Sequence, residues 1–406
     1  MNTIICGISA LRYWRMPPWI ALIMTEPEEE YRNLGFSSVD EFNRVRQQMS
    51  LESPLAKECA DDKRWNSAGE HARNIRNAAP LLGQCLEFPV DIMVKSRAEW
   101  SKSGIIAPVM YSKPLPPGST VAITDEISVV TPEFALLQLA GTMTLNQCLA
   151  IASELFGTYS PYRAPRAFAE WFESRLSLVS GRNLMGECYG WTPCVIGGKL
   201  HDLWRRDPLV TAGSLRATVA QSETNRGCAR ALKIAELVIP GAASPLESKA
   251  GLLLCLPKTY GGLGHTGMIH NYEVRLTKSS RTLAGKRRCY CDLYWGEGVD
   301  LEIQSKLVHD NETSFLSDSE RIAALLNEGI TVLPVTAHHL NDRSTLLELS
   351  KTLARLRGIG APTLTARQEV RSRKLFDDLC ALSGDFLSKN AISRPSKSRR
   401  ASRKPS

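Results

Sequence analysis

The stretch Cys289-Tyr290-Cys291-Asp292-Leu293-Tyr294-Trp295-Gly296-Glu297-Gly298-Val299-Asp300-Leu301-Glu302-Ile303-Gln304 constrains the fold more than any other part of the chain. Two alternating runs flank Gly296-Glu297-Gly298, the pattern of antiparallel strands joined by a three-residue hairpin. Pairing Trp295 with Val299 places Asp292 directly opposite Glu302. Successive strand side chains point to opposite faces. Cys289, Cys291, Leu293, Trp295, Val299, Leu301 and Ile303 therefore form an apolar face, and Tyr290, Asp292, Tyr294, Asp300, Glu302 and Gln304 a polar one. Carboxylates directly across a ladder repel each other. They persist where the face is well solvated, or where a cation that prefers oxygen ligands sits between them. Mg²⁺ meets the second condition, using one or two carboxylates and keeping several waters. Periodicity alone leaves both readings open.

The surroundings of this hairpin give an organisation in segments. Residues 1–85 read as helical and polar, with Ser38 and Glu41 spaced as a capping box. Residues 86–157 read as a small α+β domain. Short strands are expected near 88–94, 105–110 and 121–130, then a helix opened by Thr131-Pro132-Glu133 and a second over 145–156. Residues 158–240 are rich in arginine and broken by Gly181, Gly186, Gly190, Gly197 and Gly198, which suggests a basic helical linker with one long loop. The C-terminal unit, 241–385, opens with Ser244-Pro245-Leu246-Glu247, a helix start with proline at the first helical position and an acid in the first turn. Strands are expected at 269–276, 288–295, 299–305 and 330–335, and helices at 317–328, 344–356 and 366–382. The fold class that follows is α/β, with an α-β-β-β-α-β C-terminal core preceded by the smaller α+β domain.

Charge and cysteine content narrow the partners. The formal charge of +8 resides almost wholly in the tail. Lys389, Arg394, Lys397, Arg399, Arg400, Arg403 and Lys404 supply seven positive charges with no acid after residue 388, which leaves the body near +1. A tail so poor in apolar residues cannot bury a core, so 386–406 is expected to be disordered and suited to nucleic-acid attraction or to solubilisation. Eleven cysteines at irregular spacing fit reduced thiols of a cytoplasmic protein rather than a disulfide scaffold. Neither Cys289 with Cys291 nor Cys188 with Cys194 ahead of His201 has zinc-site spacing. The N-terminus lacks the features of a signal peptide, and the longest apolar runs are too short to span a bilayer. No membrane partner is expected.

Glu247 on a helix, Asp292 and Glu302 on successive strands, then a helix and a strand resemble the PD-(D/E)XK nuclease superfamily. Within it, the region from about 240 to 345 resembles the very-short-patch-repair-endonuclease-like domain family. Its pattern is a strand Asp, a hairpin, Glu-x-Asp, a His, a helix with Arg-x-x-x-Leu and a Gly-x-x-Val strand. Asp292, Glu302, Gln304, His309, Arg321, Leu325, Gly329 and Val332 fill these positions. The segment Ile127–Ala140 resembles the abortive-infection-antitoxin-like module often fused ahead of such domains. The resemblance implies a restriction-endonuclease-like core and a Mg²⁺-dependent DNA endonuclease. Asp292 and Glu302 would hold the metal, Glu247 would support it and His309 would act as a base or orient a water. Gln304 departs from the pattern, since an amide offers a carbonyl oxygen but no charge. Lys306 stands where a displaced superfamily lysine would lie. The departure keeps an alternative open: a catalytically inactive nuclease-fold protein that binds DNA or serves as an antitoxin-like regulator.

Overall fold

The computed structural model describes residues 2–53, 55, 69–100, 104–176, 190–222, 226–304 and 312–382. Lys306, His309 and the basic tail from 386 onward lie outside these residues. The described chain is a mixed α/β protein with three sheets, and none of its helices is long and apolar enough to cross a membrane.

The first sheet joins segments that the sequence separates. Its strands are β1 (Thr3–Ile5), β2 (Val90–Val94), β3 (Ile106–Met110), β4 (Thr120–Ala122) and β5 (Ile127–Val130), in the order β3-β2-β1-β5-β4. The central strand therefore comes from the stretch expected to be helical. Thr3, Ile4 and Ile5 are β-branched, which favours a pleated backbone, but three residues are too few to show a period. Ile5 is fully buried and pairs with both Ile92 and Val129. Helices α1 (Gly7–Trp14), α2 (Pro18–Thr25), α3 (Val39–Glu52), α4 (Glu70–Asn77) and α5 (Ala79–Leu82) follow β1. Ser38 caps α3 by accepting from the Glu41 N–H, and the Glu41 carboxylate takes the Ser37 N–H one residue outside the cap. After β5 come α6 (Pro132–Ala140), with Pro132 at its first position, and α7 (Leu145–Leu155).

The second sheet corrects the helical-linker expectation for 158–240. Strands β6 (Tyr159–Pro161), β7 (Thr192–Ile196) and β8 (Lys199–Arg205) lie in the order β6-β8-β7, accompanied by α8 (Arg166–Leu176), α9 (Ala212–Gln221) and α10 (Cys228–Leu237). Gly197 and Gly198, which look like breaks in a helix, form the two-residue turn between Ile196 and Lys199. Their φ values of 58° and 77° suit a turn that needs two left-handed residues, a conformation open to glycine without steric cost.

The third sheet follows the expected register closely. Helix α11 (Pro245–Cys255) leads to β9 (Met268–Arg275), a short helix α12 (Lys278–Ala284), β10 (Arg288–Trp295) and β11 (Val299–Gln304). Helix α13 (Glu312–Asn327) then crosses over to β12 (Thr331–Thr336), followed by α14 (Ala337–Asn341), α15 (Arg343–Leu356) and α16 (Ala366–Ala381). The sheet order is β12-β11-β10-β9, with β9, β10 and β11 antiparallel and β12 parallel to β11. Trp295 pairs with Val299 as the hairpin pattern requires, and Gly298 takes the left-handed position at φ 77°. One main core runs from the first sheet through α7 and α11 to Leu293, Trp295, Val299 and Leu301. The Tyr159 and Ser248 hydroxyls, 2.9 Å apart, bridge β6 to α11.

Candidate functional site

The alternation expected along β10 breaks at Asp292. Leu293 and Trp295 bury in the main core, whereas Cys289 and Cys291 bury in a second cluster with Val274, Ala324 and Leu325. The expected apolar face is thus divided between opposite sides of the sheet. The cause lies in the neighbouring strand. Cys291 pairs with Tyr272 and Leu293 with His270, so Asn271 stands at the rung of Asp292. Asn271 has φ 51°, a left-handed conformation that asparagine tolerates better than most residues. Ladder pairing with β11 also stops at Leu293–Leu301, one rung short of Asp292 and Glu302. The Asp292 carboxylate occupies the opening, where its Oδ2 accepts the Ile303 N–H at 2.8 Å.

Glu302 is buried and engaged by α13. Arg321 donates through Nη1 to Oε2 at 2.8 Å and through Nη2 to Oε1, a two-pronged ion pair. Arg321 Nη1 also reaches the Tyr290 carbonyl at 3.1 Å. Glu247 lies in the first turn of α11, 6% exposed. Its Oε2 accepts from the Ala243 N–H and from Asn271 Nδ2, and its Oε1 from the Ser244 hydroxyl. Ser244 in return caps α11 by accepting the Glu247 N–H at 3.2 Å. Ser244→Ala removes the cap and one donor to Glu247, and should lower stability by about 1 kcal/mol in a thermal melt. Gln304 is half-buried at the end of β11, paired with Thr336.

The electrostatics show acids held in excess of cations. Burial, then the Glu302 and Glu247 charges, push the Asp292 carboxyl up from 3.8 to about 9, with the Ile303 N–H opposing. Burial likewise raises Glu247 against its three hydrogen bonds. A fourth acid, Asp300, is fully buried, and neither of its oxygens meets a hydrogen-bond donor of good geometry among the described residues. Burial and the Glu302 charge raise it to about 8. Asp300 shares the polar register of Asp292 and Glu302 in the sequence, and that register was the signal available for it. What the sequence does not show is the packing of α12 and α13 against this side of the sheet.

Asp292 and Glu302 open onto a cleft of ≈ 680 Å³ between the second and third sheets. One wall carries Asn271, Lys286, Arg288, Tyr290 and Arg321, the other Thr158, Thr192, Arg205, Arg206 and Asp207. Arg206 is buried and donates to the Glu154, Gly157 and Asp207 carbonyls, which fixes the second sheet to the end of α7.

The donor set suits a hard cation in chemistry, since carboxylate oxygens are what Mg²⁺ prefers. It suits one in charge, because Glu302, the acid that Arg321 pairs with, lies close enough to Asp292, Glu247 and Asp300 for its charge to raise all three. In ligand number it is lean. Among the described residues no group of three or more His, Cys, Asp or Glu side chains is placed to hold a metal ion, and Gln304 supplies no charge at the third position. Scans against protein-family models, curated proteins and solved structures find no match to this chain.

Proposed function

We propose that this chain is a Mg²⁺-dependent DNA endonuclease with a restriction-endonuclease-like C-terminal core, acting at the cleft between the second and third sheets. The observation that carries this reading is that Asp292 and Glu302 line one cleft just past Leu293–Leu301, where β10 and β11 part. One of the two acids is kept largely protonated by burial, by the other and by Glu247. Such mutual suppression marks a site with unmet demand for positive charge. The order helix, three antiparallel strands, helix, parallel strand around this rung supports the same core.

In this reading Asp292 and Glu302 would ligate Mg²⁺, which when bound polarises a phosphate and lowers the pKa of a water. The chain's own part is to fix those ligands. The Ile303 N–H orients Asp292, Arg321 orients Glu302, and Asn271 ties Glu247 to the rung. Cytoplasmic residence and His309 as a base belong to the same proposal.

Gln304 and the closed Arg321–Glu302 pair favour a second reading, a nuclease fold that binds DNA without cutting it. Plasmid nicking in Mg²⁺ separates the two. The endonuclease reading expects nicking by the native chain and a loss on the order of 100-fold or more in Asp292→Asn. Gln304→Asp restores a carboxylate on β11 two residues after Glu302, and should raise both nicking and Mg²⁺-dependent thermal stabilisation. No nicking by either the native chain or Gln304→Asp would leave the non-catalytic reading.

A further inference from the structure

The cleft is built from two sheets, and the sheet without the acids contributes a cation. Arg205 ends β8, is exposed, and has no acidic partner within ion-pair distance among the described residues. Across the cleft Arg288 and Lys286 line the third-sheet wall, with Arg288 bonded to Glu273 at 3.0 Å. The lining carries five cations, Arg205, Arg206, Lys286, Arg288 and Arg321, against three acids, Asp207, Asp292 and Glu302, and Arg321 is paired with Glu302. Away from the Asp292–Glu302 rung the cleft walls therefore attract anions.

An aromatic face lies on the same wall. Tyr290 is 48% exposed, with its hydroxyl turned to Glu273 at 3.2 Å and its carbonyl held by Arg321. Its ring is thus anchored at the hydroxyl end while remaining open to solvent. Cations that track a phosphate backbone beside an exposed aromatic ring form the combination that binds single strands, where unpaired bases stack. Size points the same way. At ≈ 680 Å³ the cleft lies within the roughly 300–1,000 Å³ typical of sites for one small ligand. That is room for a nucleotide unit of one strand.

We propose that the cleft binds single-stranded nucleic acid, with the backbone along Arg205 and Arg288 and a base stacked on Tyr290. This rests on the placement of the proposed nuclease site and specifies its substrate form: an unpaired or locally opened strand.

The test is fluorescence anisotropy in EDTA, using the full chain, a labelled oligothymidylate and the duplex it forms with oligodeoxyadenylate. The single strand should bind at least about tenfold more tightly than the duplex. Tyr290→Ala should weaken single-strand binding by roughly 5- to 150-fold, the range of one lost base stack. Arg205→Ala should lower the single-strand log–log salt slope by about 0.7, one phosphate contact. Both residues are exposed, so both variants should fold, and unchanged melting temperatures check this. Tighter duplex binding, or single-strand affinity unchanged in both variants, would overturn the proposal. The assay contains no free metal and reads no cleavage, so its failure is distinct from a failure to nick DNA.

Discussion

Arg321→Met should destabilise the protein by about 3–5 kcal/mol, the cost of removing one partner from a buried ion pair. The Glu302 side chain is 10% exposed and that of Arg321 20%, so solvent screens the pair little. Without the guanidinium, Glu302 would remain buried beside Asp292 and Asp300 with no cation to offset it. The Tyr290 carbonyl would lose its donor as well. The double variant Arg321→Met/Glu302→Gln removes both charges and should recover most of the loss, because the main cost is the uncompensated carboxylate and not the absent attraction. Urea unfolding reads the effect as a shift in midpoint at constant slope. If Glu302 is a metal ligand, millimolar Mg²⁺ should restore part of the stability of the single variant and none in the double. A loss below about 1 kcal/mol would place the pair among solvated surface ion pairs, and the site would then hold no excess of charge to satisfy.

The rung on which these arguments turn was legible in the sequence because hairpin geometry is local. Gly296-Glu297-Gly298 sets the register, which the ladder keeps from Trp295–Val299 to Leu293–Leu301, one rung short of Asp292 and Glu302. The start of α11 was legible for a similar reason: Ser244, Pro245 and Glu247 carry their cap chemistry within one turn. Features set by distant contacts were not legible. Thr3–Ile5 becomes a central strand only because β2 and β5, more than 80 residues away, flank it. The change of face at Asp292 depends on Asn271 in the adjoining strand, and the burial of Asp300 depends on the helices that cover it. The β7–β8 hairpin is a different case. Gly197-Gly198 is a local turn signal, masked because the arginines and scattered glycines around it read as a loop in a helical stretch. The hairpin it forms supplies Arg205, an exposed cation lining the same cleft as Asp292 and Glu302.

Stability should fall as pH rises from about 5 to 9, and Asp292→Asn should flatten that fall. In the folded chain Asp292 titrates at about 9 and Asp300 at about 8, both raised from 3.8 first by burial and then by neighbouring carboxylates. Below about 4 both groups are protonated in the folded and unfolded chains, and their contribution to stability is fully present. Above that, the unfolded chain releases the protons while the folded chain keeps them. Unfolding therefore becomes easier with each pH unit, by up to about 1.4 kcal/mol per retained proton, until the folded groups ionise near 8 and 9. The amide introduced by Asp292→Asn cannot ionise and resembles the protonated acid in shape. The variant should thus lose one such slope and be more stable than the native chain at pH 8. Urea midpoints across pH 5–9 measure both curves. Mg²⁺ supplies the second comparison: a cation bound by ionised Asp292 and Glu302 stabilises the native chain by about 2.7 kcal/mol at 100 times its dissociation constant. That gain should grow with pH, because binding requires the proton to leave, and it should be absent in Asp292→Asn. Parallel pH curves for the two proteins would mean that Asp292 is ionised throughout this range. The rung would then be solvated, and the charge argument for a cation between Asp292 and Glu302 would fail.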